Sequence, residues 1–373
     1  MAELYSLPDG WEWKTIEELC EILDRLRKPI SQKDRISGEY PYYGATGIVD
    51  YINNYIFDER LLLIGEDGAK WRANENTAFI AEGKYWVNNH AHIMRPNKDL
   101  VIDSLLIYYL NTTDLMEYIT GATVKKLNQE KLKSINIPLP PLEEQKRIVA
   151  KLDILFEKID KAIALHQKNI DEADIFMASV LNDVFVELEE KYEKKYLKDI
   201  VDNYDGKRIP IKSSDRENIN GIYPYYGASG IIDYVNDYIF DGEYLLISED
   251  GANLTVRKYP IAFIAIGKFW VNNHAHIVSA KKGITTNKFM EYAFAFTDIS
   301  DYITGSAQPK MSQGKMNIIE FAVPPLPTQQ KVVSYLDEIS NKMEKIKNLQ
   351  KKKMQSLKEL KASILDKAFK GEL

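Results

Sequence analysis

The sequence predicts an α+β protein: two similar α/β globular domains separated by a long antiparallel two-helix coiled coil. Three observations predict it. Blocks of sequence recur about half a chain apart, each copy is followed by a long segment without Gly or Pro whose apolar residues step by three and four, and those two segments carry opposite net charge. A chain of 373 residues suits two or three domains at about 100–200 residues each.

The first globular domain is assigned to residues 1–141. Tyr40–Tyr51 (YPYYGATGIVDY) and Trp86–Met94 read as short strands with tight turns, Ser104–Tyr118 as an amphipathic helix, and Asn128 as the N-cap of a short helix. Pro140 and Pro141 then suit the start of a helix over 142–192. Its stripe is Ile148, Leu152, Leu155, Ile159, Ala162, His166, Ala173, Met177 and Val180, a spacing near 3.5 that calls for a partner helix. The second globular domain, 193–326, repeats the first. Tyr223–Tyr234 (YPYYGASGIIDY) matches Tyr40–Tyr51, Leu245–Ala252 (LLISEDGA) matches Leu62–Ala69 (LLIGEDGA), and Lys268–Ile277 (KFWVNNHAHI) matches Lys84–Ile93 (KYWVNNHAHI). Asn287–Tyr302 is its amphipathic helix and Ser312 its N-cap. The second long helix, 327–373, carries Val332, Leu336, Ile339, Met343, Ile346, Gln350, Met354, Leu357 and Ile364. Leu142–Lys195 has net charge −4 and Gln330–Leu373 has +5, which favours pairing of the two helices. An up-and-back arrangement closes the chain circuit with one domain at each end. His166 and Gln350, equivalent near-midpoint positions, are then expected to form a polar layer that sets the register.

Several chemistries have no sequence support. There is no GxxxxGK[ST] loop, no GxGxxG after a strand and no GxSxG elbow. One Cys excludes an intramolecular disulfide framework and a CxxC zinc site. No apolar run approaches the ~18 residues of a membrane span, and the N-terminal residues lack a signal-peptide pattern, so a cytoplasmic location is expected. Glu66-Asp67 and Glu249-Asp250, each followed by Gly, read as solvated turns. In Asn88-Asn89-His90-Ala91-His92 and its copy at Asn272–His276, a strand would place both histidines on one face. A duplicated metal-dependent nuclease is therefore the competing reading, although the spacing supplies no third ligand. A structural adaptor without a DNA role is a third.

Both globular domains are net acidic, yet basic residues cluster in expected loops. We select Lys70, Arg72, Lys125 and Lys126 in the first domain, and Lys207, Arg208, Arg257, Lys258 and Lys310 in the second, as candidates for binding DNA phosphates. Tyr42, Tyr43, Asn88 and Asn89, with their copies Tyr225, Tyr226, Asn272 and Asn273, either meet bases or pack the domain interior.

The order of domain, helix, domain, helix, with Pro140-Pro141-Leu142 and Gln145 matched by Pro324-Pro325-Leu326 and Gln329, resembles the specificity subunit of type I restriction-modification systems. Leu7-Pro-Asp-Gly-Trp11 is a common opening in that family, whereas Pro327-Thr328 departs from the acidic pair Glu143-Glu144. The resemblance implies two target recognition domains that read the halves of a split sequence in double-stranded DNA. It implies helices that dock two modification (methyltransferase) subunits, and restriction (translocase and nuclease) subunits that join the full complex. It also implies no catalysis and no metal in this chain, with S-adenosylmethionine, ATP and magnesium belonging to the partners. Because the two domains are so alike, a target close to an interrupted palindrome is expected. Differences in reading should arise at Lys70–Ala73 against Asn253–Val256, and at Thr123-Val124-Lys125 against Ala307-Gln308-Pro309.

Overall fold

The computed structural model describes residues 5–216 and 221–373. They divide into two units, 5–167 with 351–373, and 168–216 with 221–350. Each unit contains one globular domain and one half of each long helix.

The long helices are α1 (Leu142–Lys191) and α2 (Leu326–Phe369). In the first unit Ile148, Leu152, Phe156 and Ile159 of α1 share a core with Leu365, Ala368 and Phe369 of α2, and Lys361 pairs with Asp160 at 2.9 Å. Early residues of α1 thus meet late residues of α2, an antiparallel pairing. The second unit shows the converse: Val180, Phe185 and Leu188 of α1 share a core with Val333 and Leu336 of α2, and Lys347 pairs with Asp174 at 2.9 Å. Phe156, outside the expected stripe, is buried, while Leu155 is only partly so. His166 and Gln350 are half-buried.

In the first globular domain one sheet runs in the order Cys20–Ile22, Ala91–Pro96, Leu61–Gly65, Ala78–Ala81. A second runs Gly47–Ile52, Ser37–Gly44, Lys84–Val87, Phe57–Asp58, with a parallel pairing of Tyr42 to Trp86. In the second domain the strands Phe240–Ser248 and Ala262–Val271 run unbroken through both regions and join them into one six-stranded sheet. Alternation along the central strand builds two cores. Leu62 and Ile64 face the helices, while Leu61 and Leu63 face a second cluster with Phe57, Tyr85 and Ile93. Asn128 and Ser312 cap their short helices through hydrogen bonds from the Lys131 and Lys315 N–H groups. The amphipathic helices are Asp103–Thr112 and Asn287–Phe296, shorter than the sequence suggested because a 3₁₀ turn follows each.

The motif glutamines join helix to domain. Gln145 is fully buried; its amide donates to Leu100 and Pro140 carbonyls at 2.9 Å and accepts from Ile102 N–H at 2.9 Å. Gln329 donates to Ile284 and Pro324 carbonyls at 2.8 Å and accepts from the Thr285 hydroxyl at 3.1 Å.

Candidate nucleic-acid interface

Four loops of each globular domain gather at one end. In the first domain they are the hairpin tip at Ala45–Thr46, the segment Glu66–Ala73, the turn Asn88–His90 and the loop Gly121–Lys125. A Cβ on Gly65 would lie 2.7 Å from the Ala45 carbonyl oxygen, so the hairpin tip lies directly against the strand end. The Glu66 N–H donates to the His90 carbonyl at 2.8 Å, and the Asn88 N–H to the Tyr43 carbonyl at 3.0 Å. Thr120 and Lys126 exchange backbone hydrogen bonds, closing the loop between them, and Leu127 N–H donates to the Glu66 carbonyl at 2.8 Å.

Beneath the loops lies a buried charge cluster. The Arg27 guanidinium donates to Glu66 and, at 2.9 Å, to the Ala91 carbonyl. His92 presents Nδ1 to Asp24 at 2.6 Å and Nε2 to the Leu127 carbonyl at 2.7 Å. Both ring nitrogens thus lie against oxygen atoms of the domain interior. Lys126 reaches the second Glu66 oxygen at 2.7 Å. Burial pushes the Asp24 carboxyl up, but the His92 hydrogen bond and charge, with Gln129 and the Ile93 N–H, outweigh it and hold it below the usual range. Burial is likewise outweighed at Glu66 by its hydrogen bonds from Lys126 and Arg27.

The second domain repeats the cluster residue for residue. Arg208 pairs with Glu249 at 2.6 Å, His276 bridges Asp205 at 2.6 Å and the Met311 carbonyl at 2.8 Å, and Lys310 reaches Glu249 at 3.0 Å. Asp205 and Glu249 are also held low against the upward push of burial.

These contacts correct several sequence expectations. Glu66 and Glu249 are not in solvated turns; they are buried counter-ions for Arg27 and Arg208. His90 and His92 do not share a strand face, because the strand begins at Ala91 and His90 lies in the preceding turn. The paired-histidine metal site, and with it the basis of the nuclease reading, therefore does not form. Asp24, Glu66 and His92 do converge, and the Arg27 guanidinium pairs with both carboxylates of that group.

The candidate contacts fall into two groups. Lys70, Arg72, Lys125, Asn89, Lys207, Lys258 and Asn273 are exposed, as is Lys310 although its ammonium pairs with Glu249. The rest are engaged within the domain. Tyr42 and Tyr225 are fully buried, their hydroxyls accepting from Ile30 and Ile211 N–H at 2.9 Å, so they brace the loop end from inside. Tyr43 and Tyr226 pack edge-on against Tyr85 and Phe269. Asn88 and Asn272 are buried, each accepting from the N–H two residues on at 2.8 Å. Arg208 is the buried clamp just described, and Arg257 donates to the Thr297 carbonyl at 2.6 Å. Lys126 and Lys310 are half-committed to their glutamates. Arg27, not among the sequence candidates, is the clamp of the first domain; its one advance signal is that Arg208 recurs in the second copy.

Comparison with known proteins settles the family. The model of the type I restriction modification DNA specificity domain matches twice, at residues 8–173 and 189–354. The chain belongs to that family. Each half carries one DNA specificity domain, and each match runs from the globular domain well into the long helix that follows. A Haemophilus influenzae protein named as a type I restriction enzyme specificity subunit is 38% identical over 144 residues, 39% of this chain and 37% of that one. The EcoDI specificity subunit of Escherichia coli is 23% identical over 97% of this chain and 89% of its own. A solved chain described under complex assembly and conformational transition of the type I R-M system shares the fold. Its TM-score is 0.74 at 19% identity, covering 99% of this specificity-family chain and 100% of its own.

Proposed function

We propose that this chain is the sequence-reading subunit of a type I restriction-modification complex. Its two loop ends each read half of a bipartite duplex target, and its long helices dock two methyltransferase subunits, with restriction subunits joining the assembly. The observation that carries this reading is the pairing of a charge-clamped loop platform, the same in both domains, with adjoining loops that differ: Lys70–Ala73 against Asn253–Val256, and Ala122–Lys125 against Ser306–Pro309. An unchanging mount with changeable tips is what a reader of related half-sites needs. The target is therefore close to an interrupted palindrome. Docking of two identical partners is supported by exposed apolar residues at equivalent helix positions, Leu165 with Leu349 and Phe176 with Leu360. We further assign His166 and Gln350 as register markers of the helix pair. The chain supplies no catalysis; S-adenosylmethionine, ATP and magnesium are bound by the partners, and the complex works in the cytoplasm. No helix among the described residues is long and apolar enough to cross a membrane.

The test is co-expression with a type I methyltransferase subunit and single-molecule mapping of N6-methyladenine. Two related, inverted half-sites are expected. Replacing Lys70–Ala73 with Asn-Leu-Thr-Val and Ala122–Lys125 with Ser-Ala-Gln-Pro should bring the first half-site closer to the second. Two unrelated half-sites, or a map the graft leaves unchanged, overturns the reading.

A further inference from the structure

In each domain one histidine is left exposed at the loop end. His90 is held through Nδ1 by Asp67 at 2.5 Å, with about half of its side chain exposed (52%). His274 is held by Asp250 at 2.8 Å with 49% exposed. Among the described residues Nε2 of neither ring has a hydrogen-bond partner, so the carboxylate fixes the ring and leaves one nitrogen turned to solvent. Around His90 stand Asp67, Glu66, the Arg27 guanidinium bonded to the Ala91 carbonyl, and Lys126, whose backbone bridges to Asp67. Asp250, Glu249, Arg208 and Lys310 surround His274 in the same way.

We propose that His90 and His274 each donate from Nε2 to a phosphate of the DNA backbone, with Asp67 and Asp250 as positioning residues that aim the ring. This rests on the DNA-reading function above. The two domains, set side by side, narrow the choice of phosphate contacts. Whatever both half-sites present alike, whatever their bases, is the sugar-phosphate chain; its contacts should be the exposed donors that the two domains share. Lys70 and Arg72 are not shared, since Asn253 and Thr255 stand in their places. The shared arginines Arg27 and Arg208 are clamped, mostly buried, on Glu66 and Glu249, and Lys126 and Lys310, about half exposed, each spend one ammonium contact on the same glutamates. Of the shared loop-end groups, the imidazoles remain solvent-facing and mechanically fixed, beside the exposed Asn89 and Asn273. An imidazole whose Nδ1 is taken by a carboxylate presents its other ring nitrogen in one fixed direction, suited to giving an N–H to an anionic oxygen.

The experiment uses the chain assembled with its methyltransferase subunits, titrated with a duplex carrying the mapped target and with a scrambled duplex, over a range of salt. His90→Gln and His274→Gln should each weaken both duplexes alike, by about five-fold, and lower the salt slope by about one. His90→Lys should restore affinity and slope. Asp67→Asn should weaken binding in the wild-type background and add nothing to His90→Gln. An unchanged slope in both Gln variants, or a loss confined to the target duplex, overturns the phosphate assignment while the reading function stands. A wild-type complex that binds neither duplex overturns both.

Discussion

Gly65 and Ser248 end the same strand in the two globular domains, and the loops that follow them take different paths. A Cβ on Gly65 would lie 2.3 Å from the Ala69 Cβ, so the bare backbone admits a close return of the chain. Trp71 then folds inward, buried, with its indole N–H on the Gly65 carbonyl at 3.1 Å. In the second domain Ser248 fills that space and donates to the Ala228 carbonyl at 2.5 Å. The chain there forms a helical turn, Asn253–Val256, that buries Leu254 and ends at Arg257 with φ of 50°. One side chain on the platform thus separates two loop conformations, while the charge clamp below them is unchanged. Variation has been admitted above the clamp and refused within it.

That contrast can be broken most forcefully at the clamp. Glu66→Ala and Glu249→Ala each take the nearest carboxylate from a largely enclosed arginine, leaving only the longer contact to Asp24 or Asp205, and should each cost about 3 kcal/mol, read by chemical denaturation. A large loss in one domain only would show that the clamps are not equivalent. The platform is next. Gly65→Ser forces the Ala69 return apart and should cost about 1–3 kcal/mol, whereas Ser248→Gly loses a hydrogen bond and should cost about 1 kcal/mol; equal costs would refute the account of the two loop paths.

Acid should strike both domains together. Asp24, Glu66, Asp205 and Glu249 are depressed in the folded chain, so their contribution is present above the unfolded values of about 3.9 and 4.3. It is lost as pH falls through the lower folded values. Stability should therefore drop below about pH 4, and Asp24→Asn with Asp205→Asn should flatten that drop. The smallest effects belong to the exposed tips. Lys70→Ala should change stability by less than about 0.5 kcal/mol yet reduce the salt dependence of DNA binding, measured as the slope of log affinity on log salt.

The duplication, the two helices and the caps at Asn128 and Ser312 were legible because each is written in local spacing or in direct repetition. The clamp was not. Asp24, Glu66 and His92 lie about 40 and 25 residues apart in succession, and no periodicity joins them; only the fold does. The expectation of a solvated turn at Glu66 rested on the following Gly and could not register an arginine approaching from Arg27. The histidine pair misled for a smaller reason: a strand that starts one residue late, at Ala91, turns alternation into a turn residue followed by a buried one. For the candidate contacts, sequence identified loops rich in cations but not which cations were already taken.

Gln145 and Gln329 fasten each head to its shaft through main-chain oxygens, almost without regard to the side chains nearby. A coupling of that kind is a standard fitting. It lets a head be exchanged or remodelled at its tips while the seat beneath it keeps its shape, so new specificities can be tried without redesigning the handle.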